Sequence, residues 1–198
     1  LEKILRKIFM NEKFIQNWDK LPADVRREFA LLANKYGEKK KQSNIQNDFL
    51  SFVKHVWPDF IEGSHHKRIA DKFNKLASGE IKRLIINMPP RHTKSEFGSY
   101  LLPAWMVGRN PKLKIIQSTN TTELSVRFGR KAKALIDSPE YQKVFKTALK
   151  EDSQAAGKWE TAQGGEYYAA GVGSALTGRG ADLLIIDGGK GQLSMVKE

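Results

Sequence analysis

The 198-residue chain contains no cysteine, which excludes disulfide bonds and thiolate metal sites and leaves nothing that indicates an oxidising compartment. It also lacks an apolar run near the roughly 20 residues that a membrane-spanning helix needs. Its amino terminus mixes charged with apolar residues, so the uninterrupted apolar core of a secretion signal is missing as well. These absences favour a cytoplasmic protein that has no membrane partner.

Acidic residues are too few to balance the basic ones. The chain has 34 Lys and Arg against 22 Asp and Glu, a net charge of +12. Such a surplus suits a polyanionic partner, nucleic acid before membrane, although an ordinary basic protein can have the same composition. The length and the 40% hydrophobic content suffice for one α/β domain with a small appendage, and not for two full domains.

The sequence from residue 84 to residue 97 carries the strongest functional signal. An apolar run over 84–87 predicts a strand, and Pro89-Pro90 then leads into a polar loop. Lys94-Ser95 begins a predicted helix over 94–107. A strand, a tight loop and a helix amino terminus with Lys-Ser are the parts of a phosphate-binding loop, in which backbone N–H groups and Lys face the anion.

Glycine is missing where such a loop normally has it. On the Walker A pattern G-x-x-x-x-G-K-[ST], Met88 and Thr93 replace the two glycines, and only Lys94 and Ser95 match. Glycine is favoured there because the backbone adopts unusual dihedral angles close to phosphate, so Thr93 is expected to bear strain. Residues 88–95, called the Lys-Ser loop below, therefore predict either a nucleotide site or an ordinary strand-turn-helix.

A second apolar run supports the nucleotide site. Residues 182–187 predict a buried strand that ends in Asp187. If this strand lies beside the strand over 84–87, its carboxylate can reach Mg²⁺ through water, across from Ser95. Alternating strands and helices between the two runs predict a parallel sheet with ligands at the carboxyl ends of its strands.

The remaining chain divides into a helical extension and linker over 1–44, with the linker at 37–43, and an α/β domain over 45–198. Further predicted elements are helices over 45–56 and 65–76, a strand over 114–119, a capped helix ending at 136, a short helix through 141–145, a hairpin of 158–161 with 166–170, and a glycine-rich loop over 171–180. Trp57 and Phe60 are either core residues or a stacking surface for a nucleobase. The pair His65-His66 has no partner at a ligand spacing, so we do not expect a metal there.

Basic residues cluster on the predicted helix that ends at residue 136. Arg127, Arg130, Lys131 and Lys133 alternate with apolar residues, so one face is basic and another apolar. The basic face is either a track for nucleic-acid phosphates or a solvated surface.

Combinations of motifs resemble one family. They are the sequences over 88–96 and 176–187, together with Trp57-Pro58, His65-His66, and residues 117–119 and 159–165. With these motifs the chain, from about residue 47 through residue 187, resembles the amino-terminal ATPase domain of the large terminase subunit, the DNA-packaging motor of tailed bacteriophages. The Pro-Pro-Arg form of the phosphate loop, without the usual glycines, is one that this family uses.

The resemblance implies a P-loop NTPase fold of the ASCE type, a mainly parallel sheet flanked by helices. It implies ATP and Mg²⁺ as cofactors, held by Lys94, Ser95 and Asp187 with Pro90, Arg91, His92 and Thr93 of the loop. Arg91 matches the arginine inside the family's phosphate loop, and Arg179 matches an arginine that reaches a neighbouring subunit's site. Such an arginine stabilises charge on the transferring phosphoryl group. Implied partners are double-stranded DNA, the portal, the small terminase subunit and further copies in a ring, at the procapsid in the cytoplasm of an infected bacterium.

The pattern fails after Asp187. Family members continue with a second acid that activates the attacking water, whereas this chain continues with Gly188. Glu96 or Asp152 could substitute if the fold brings either one close. Either the chain is a natural variant here, or residues are missing between Asp187 and Gly188, and we expect the second. Since the chain also begins at Leu1 and the family's nuclease domain is absent, we expect a piece of a longer protein. The alternatives to a packaging motor are a helicase-like ATPase lobe and a DNA-binding or assembly module without catalysis.

Overall fold

A computed structural model describes residues 18–171 and 178–188, except for the side chains of residues 153 and 154. The described residues form an α/β structure with a five-stranded mixed sheet flanked by helices. The chain divides into two compact units, residues 1–44 and residues 45–198. The predicted helical residues before 18, most of the glycine-rich loop, and the carboxyl-terminal residues 192–198 lie outside the described residues.

The first unit contains a 3₁₀ turn, Trp18–Lys20, and most of helix α1, Ala23–Asn47. The Trp18 ring packs edge-on against Phe29, with 5.4 Å between the ring centroids. Residues 37–43, which the sequence predicts as a linker, lie inside α1, so that prediction is wrong. Glu, Lys and Gln are good helix formers, and their charge had indicated solvent exposure without indicating a break in the helix.

Further helices lie in the described part of the second unit. They are α2 (Phe49–Val56), α3 (Ser64–Ala77), a π-helix (Glu96–Leu101) that continues into α4 (Leu102–Arg109), α5 (Thr122–Ile136) and α6 (Pro139–Val144). Asp48 caps α2 by accepting the Ser51 N–H at 2.8 Å, and Thr121 and Ser138 cap α5 and α6 in the same way. The predicted helix from residue 94 is confirmed, but its first turns have π geometry.

Five strands form the sheet in the order β2-β3-β4-β1-β5. They are β1 (Lys114–Thr119), β2 (Leu149–Ala155), β3 (Lys158–Thr161), β4 (Glu166–Gly171) and β5 (Leu183–Asp187). β1 pairs in parallel with both β4 and β5, whereas β3 pairs antiparallel with β2 and β4. The hairpin and the strands ending at residues 119 and 187 are confirmed. β2 went unpredicted because its polar sequence has no apolar alternation, as edge strands tolerate.

Helices pack on the sheet through an aromatic core. Phe49 contacts the rings of Phe73, Phe97 and Trp105 at 4.9–5.4 Å between centroids. Phe60 also packs against Phe97, at 5.5 Å, so it belongs to the margin of the core. Of the two alternatives for Trp57 and Phe60, a place in the core is therefore confirmed for Phe60.

One prediction that concerns the site is wrong. Residues 84–87 are extended but pair with no strand among the described residues, so they do not lie beside β5 in the sheet. Leu84 and Ile86 pack against the core, whereas Ile85 is 69% exposed, which is the alternation of an extended segment. A cavity lined by residues 84–89 and by β5 explains the missing ladder, because backbone pairing requires direct contact between strands.

Candidate nucleotide site

The Lys-Ser loop has a strained backbone. Arg91 has φ = 63° and Thr93 has φ = 60°, and they are the non-glycine residues with positive φ in the described part of the chain. For a β-branched residue such as Thr93 this conformation is an outlier, which persists only where surrounding contacts impose it. The expectation that Thr93 bears strain in place of a glycine is confirmed, whereas Met88 shows no positive φ.

Contacts from α3 and from within the loop restrain this backbone. The Nε2 atom of His66 lies 2.7 Å from the Thr93 hydroxyl, which donates to the His92 carbonyl at 2.6 Å. The His92 ring in turn lies with Nδ1 2.9 Å from the Pro90 carbonyl oxygen. His66 is 5% exposed, and its burial, with a smaller effect of His65, lowers the pKa of its imidazole.

A π-helix follows the loop and brings an unpredicted residue to the site. Ser99, which is 1% exposed, donates a hydrogen bond from its hydroxyl to Asp187 Oδ2 at 2.9 Å. The sequence predicts that Asp187 faces Ser95 across Mg²⁺, which stays a prediction; the hydroxyl that contacts the carboxylate directly is that of Ser99, four residues later. A π turn shifts side chains relative to an α-helix and often occurs at functional sites, and it leaves no signature in the sequence pattern.

Lys94 and Asp187 line one cavity of about 680 Å³. Its other walls are mainly apolar, with Asn87 and Ser99 as polar exceptions, and come from residues 84–89, from β5 and from Gly98 and Ser99 near the start of the following helix. Asp187 pairs with Thr119 at the end of β1, so the cavity reaches the edge where parallel strands β1 and β5 end. Ligands of open α/β sheets bind at that edge. Two of the predicted site residues, Lys94 and Asp187, thus line the same cavity. Arg91 and Ser95 are close to Lys94 in the sequence but are not among the residues that line it.

Arg179 lies near the amino-terminal ends of the parallel strands, whereas Asp187 lies at their carboxyl ends. Its guanidinium donates to Glu166 Oε1 at 2.8 Å and stacks on the Tyr168 ring at 4.1 Å. Glu166 begins β4 and Asp187 ends β5, so roughly 15 Å of strand length separates the two positions. Within this chain the fold therefore does not bring Arg179 to Asp187.

Neither substitute for the second acid is positioned for the task. Glu96 receives both of its hydrogen bonds at 2.8 Å from Lys131 on α5. Asp152 belongs to β2, the strand at the edge of the sheet farthest from β5. Lys131 points to Glu96, so it does not contribute to the basic face that the sequence predicts on α5. That face then consists of exposed Arg127 and Arg130 with half-buried Lys133.

The site fits a magnesium nucleotide in part. The first turn of the helix at Lys94 leaves backbone N–H groups without intrahelical partners, and Lys94 adds a positive charge. Asp187 retains one carboxylate oxygen that Ser99 does not occupy. The described residues contain no group of three or more His, Cys, Asp or Glu that could hold a metal. Mg²⁺ does not require such a group, because it often takes one or two protein ligands and completes its shell with water and phosphate.

Comparison with known proteins adds no assignment. No protein-family model matches the chain, and searches of curated proteins and of solved structures found no significant match. Among the described helices, none is both long enough and apolar enough to span a membrane. The functional assignment therefore depends on the site itself.

Proposed function

We propose that this chain is a P-loop type ATPase domain of a DNA-packaging terminase, coupling ATP hydrolysis to translocation of double-stranded DNA into a procapsid. The observation that carries the proposal is the shared cavity of Lys94 and Asp187, next to a strained loop and at the carboxyl edge of parallel strands. Strained non-glycine residues cluster at ligand sites, where the strain maintains a binding geometry.

In this proposal each residue of the candidate site has a distinct task. Lys94 and the N–H groups of the first helical turn would bind the phosphates of ATP, and Ser95 and Asp187 would hold Mg²⁺. Mg²⁺ held there would supply positive charge to the phosphoryl oxygens. Ser99 orients the carboxylate of Asp187 through its hydrogen bond. Arg91, which like Thr93 has a positive φ, contributes positive charge near the phosphates.

Arg179 has its proposed role in the assembled ring. Its side chain is about 38% exposed and lies at the opposite end of the parallel strands from Asp187. Because this distance separates it from a nucleotide in its own subunit, the nucleotide on which it would act is that of a neighbouring subunit. It would leave Glu166 and Tyr168 to act there. The DNA-contacting surface includes Arg127 and Arg130 of α5, which are exposed and carry charge suited to phosphate.

A binding experiment tests the proposal directly. Lys94→Ala in the full chain is expected to weaken Mg²⁺-dependent binding of a fluorescent ATP analogue by roughly 10- to 150-fold, the range for a hydrogen bond to a charged group. Lys112→Ala is the matched control, because it removes the same side chain from an exposed position on the loop before β1, outside the cavity. Unchanged affinity in Lys94→Ala would show that this loop is not a phosphate site.

A module without catalysis is the second candidate, and one observation favours it. Among the described residues, no carboxylate stands beside Asp187 in place of the second acid, since Glu96 is paired with Lys131. Such a module binds DNA with a salt-dependent affinity that ATP does not change. The helicase alternative lacks support of this kind, because the described chain has no exposed Phe, Trp or Tyr side chain on which unpaired bases could stack.

A further inference from the structure

His66 occupies an unusual place for a buried histidine. It is the third residue of α3 and is separated from Thr93 by 27 positions, yet its ring lies directly against the Lys-Ser loop. Phe60 and Phe97 pack on the ring at 4.8 Å and 5.0 Å between centroids, which leaves it 5% exposed. The proposed function assigns this residue no task.

The hydrogen bonds around His66 define its tautomer. The backbone N–H of Gly63 donates to Nδ1 at 2.9 Å, so Nδ1 carries no proton. The proton of the neutral ring is then on Nε2, which donates to the Thr93 hydroxyl at 2.7 Å. That hydroxyl uses its own proton to donate to the His92 carbonyl at 2.6 Å. A directional chain therefore runs from the start of α3 through the imidazole into the loop.

The chain of hydrogen bonds ends in the strained part of the loop. Thr93 has φ = 60°, a conformation that a β-branched residue leaves unless other contacts hold it. The ring of His66 is itself held by the aromatic core, so the Thr93 hydroxyl is attached to a rigid support. Lys94 follows Thr93 directly, and its position depends on the same backbone.

We propose that His66 is a positioning residue, which holds Thr93 in its left-handed conformation and so keeps the Lys-Ser loop open for phosphate. The role depends on the donor at Nε2 and on the acceptor at Nδ1, and on no metal. This inference rests on the proposed nucleotide site for its effect on binding, but the effect on the loop backbone can be measured without nucleotide.

Two substitutions separate the ends of the chain of hydrogen bonds. His66→Asn keeps an acceptor near the Nδ1 position for the Gly63 N–H, but it is too short to reach Thr93. Thr93→Val removes the hydroxyl and keeps the β-branched shape. His55→Asn is the matched control, because the His55 ring likewise makes a hydrogen bond to a residue distant in sequence, the Glu140 carbonyl at 3.0 Å, but outside the loop.

The first measurement is nuclear magnetic resonance of the full chain without nucleotide. We expect the ¹⁵N shifts of the His66 ring to report the Nε2–H tautomer. We expect the backbone order parameters of residues 91–93 to fall from about 0.85 to below about 0.6 in both His66→Asn and Thr93→Val. A proton on Nδ1, or an unchanged order parameter in both variants, would overturn the inference.

The second measurement is affinity for the fluorescent ATP analogue. Each single variant is expected to bind roughly 5- to 10-fold more weakly, the effect of one hydrogen bond. The double variant should bind no more weakly than either single variant, because both break the same connection. Thr93→Ser should restore affinity, since it keeps the hydroxyl. Additive losses, or losses matched by His55→Asn, would mean that His66 supports only the fold.

The two measurements also separate the inference from the proposed function. If the wild-type chain binds no nucleotide, the proposed function fails, and the order parameters alone then decide whether His66 restrains the loop. If nucleotide binds and Lys94→Ala abolishes binding while His66→Asn has no effect on either readout, the proposed function stands and the positioning role is refuted.

Discussion

Replacing Ser99 tests the contact that joins the helix after the Lys-Ser loop to β5. Ser99→Ala removes the hydrogen bond from the hydroxyl to Asp187 Oδ2, at 2.9 Å. A hydrogen bond to a charged acceptor is worth about 1.5–3 kcal/mol. Asp187 borders the cavity, so water can replace the lost donor and reduce that loss. Alanine also favours the helix by up to about 0.5 kcal/mol, which leaves an expected net loss of about 1 kcal/mol.

Ser95→Ala is the matched control for this change. Ser95 lies four residues earlier in the same helical segment and makes no contact with Asp187 that the structure shows. We expect Ser99→Ala to lower the thermal midpoint by about 2–4 °C, as about 1 kcal/mol does in a protein of this size. Ser95→Ala should leave the midpoint within about 1 °C and weaken only Mg²⁺-dependent nucleotide binding.

A double-mutant cycle gives the result that refutes this reasoning. In an Asp187→Ala background the hydroxyl of Ser99 has lost its acceptor, so Ser99→Ala should then change stability much less than in the wild type. Equal losses in both backgrounds would show that the contact with Asp187 does not contribute. A stability loss in Ser95→Ala as large as that in Ser99→Ala would show that the side chains are exchanged relative to the structure.

Three further predictions test the fold and the site. Gly129→Ala should destabilise the chain by about 1–3 kcal/mol in chemical denaturation, since a Cβ there would lie 2.6 Å from the Ala156 carbonyl oxygen; Gly37→Ala, with open space around it inside α1, should be neutral or stabilising, and a loss there would contradict the helix. Burial raises the pKa of the Asp48 carboxyl, but hydrogen bonds from Ser51 and Asn74 outweigh it and lower the pKa below its ordinary 3.8, so its stabilisation is present above that value and is lost as the pH falls through the lower folded value. Lowering the pH should therefore reduce the free energy of unfolding more in the wild type than in Asp48→Asn. Parallel curves of unfolding free energy against pH would argue against the cap. Arg179→Ala should cost less than about 1 kcal/mol of stability, because its ion pair is half-exposed, yet should lower ATP hydrolysis of assembled chains but not nucleotide affinity; equal hydrolysis would exclude the trans-acting role.

Local sequence patterns were sufficient for the elements whose information lies within a few residues. Alternation and apolar runs predicted the strands that end at Thr119 and Asp187, and a capping residue predicted the helix after Thr121. The missing glycine at position 93 even predicted backbone strain, because dihedral limits belong to single residues. These signals predict local structure because they act within a few residues, whatever the rest of the fold is.

Charge and hydrophobicity misled the interpretation where tertiary context decides the outcome. Residues 37–43 are polar, yet they continue α1, since polarity reports exposure and helix propensity is a separate property. Residues 84–87 are apolar and extended, yet no described strand pairs with them, because a strand is defined by its neighbour.

The sequence by itself determined which residue types could form a phosphate-binding loop, and that an acid ends the last described strand. Only the tertiary structure decided that Ser99, 88 positions before Asp187, contacts that acid, and that His66 supports Thr93. It also decided that Arg179 folds back on Glu166, away from Lys94. The physical reason is that dihedral preferences and periodicity act over one or two turns of chain, whereas hydrogen bonds between distant residues depend on how the whole core packs.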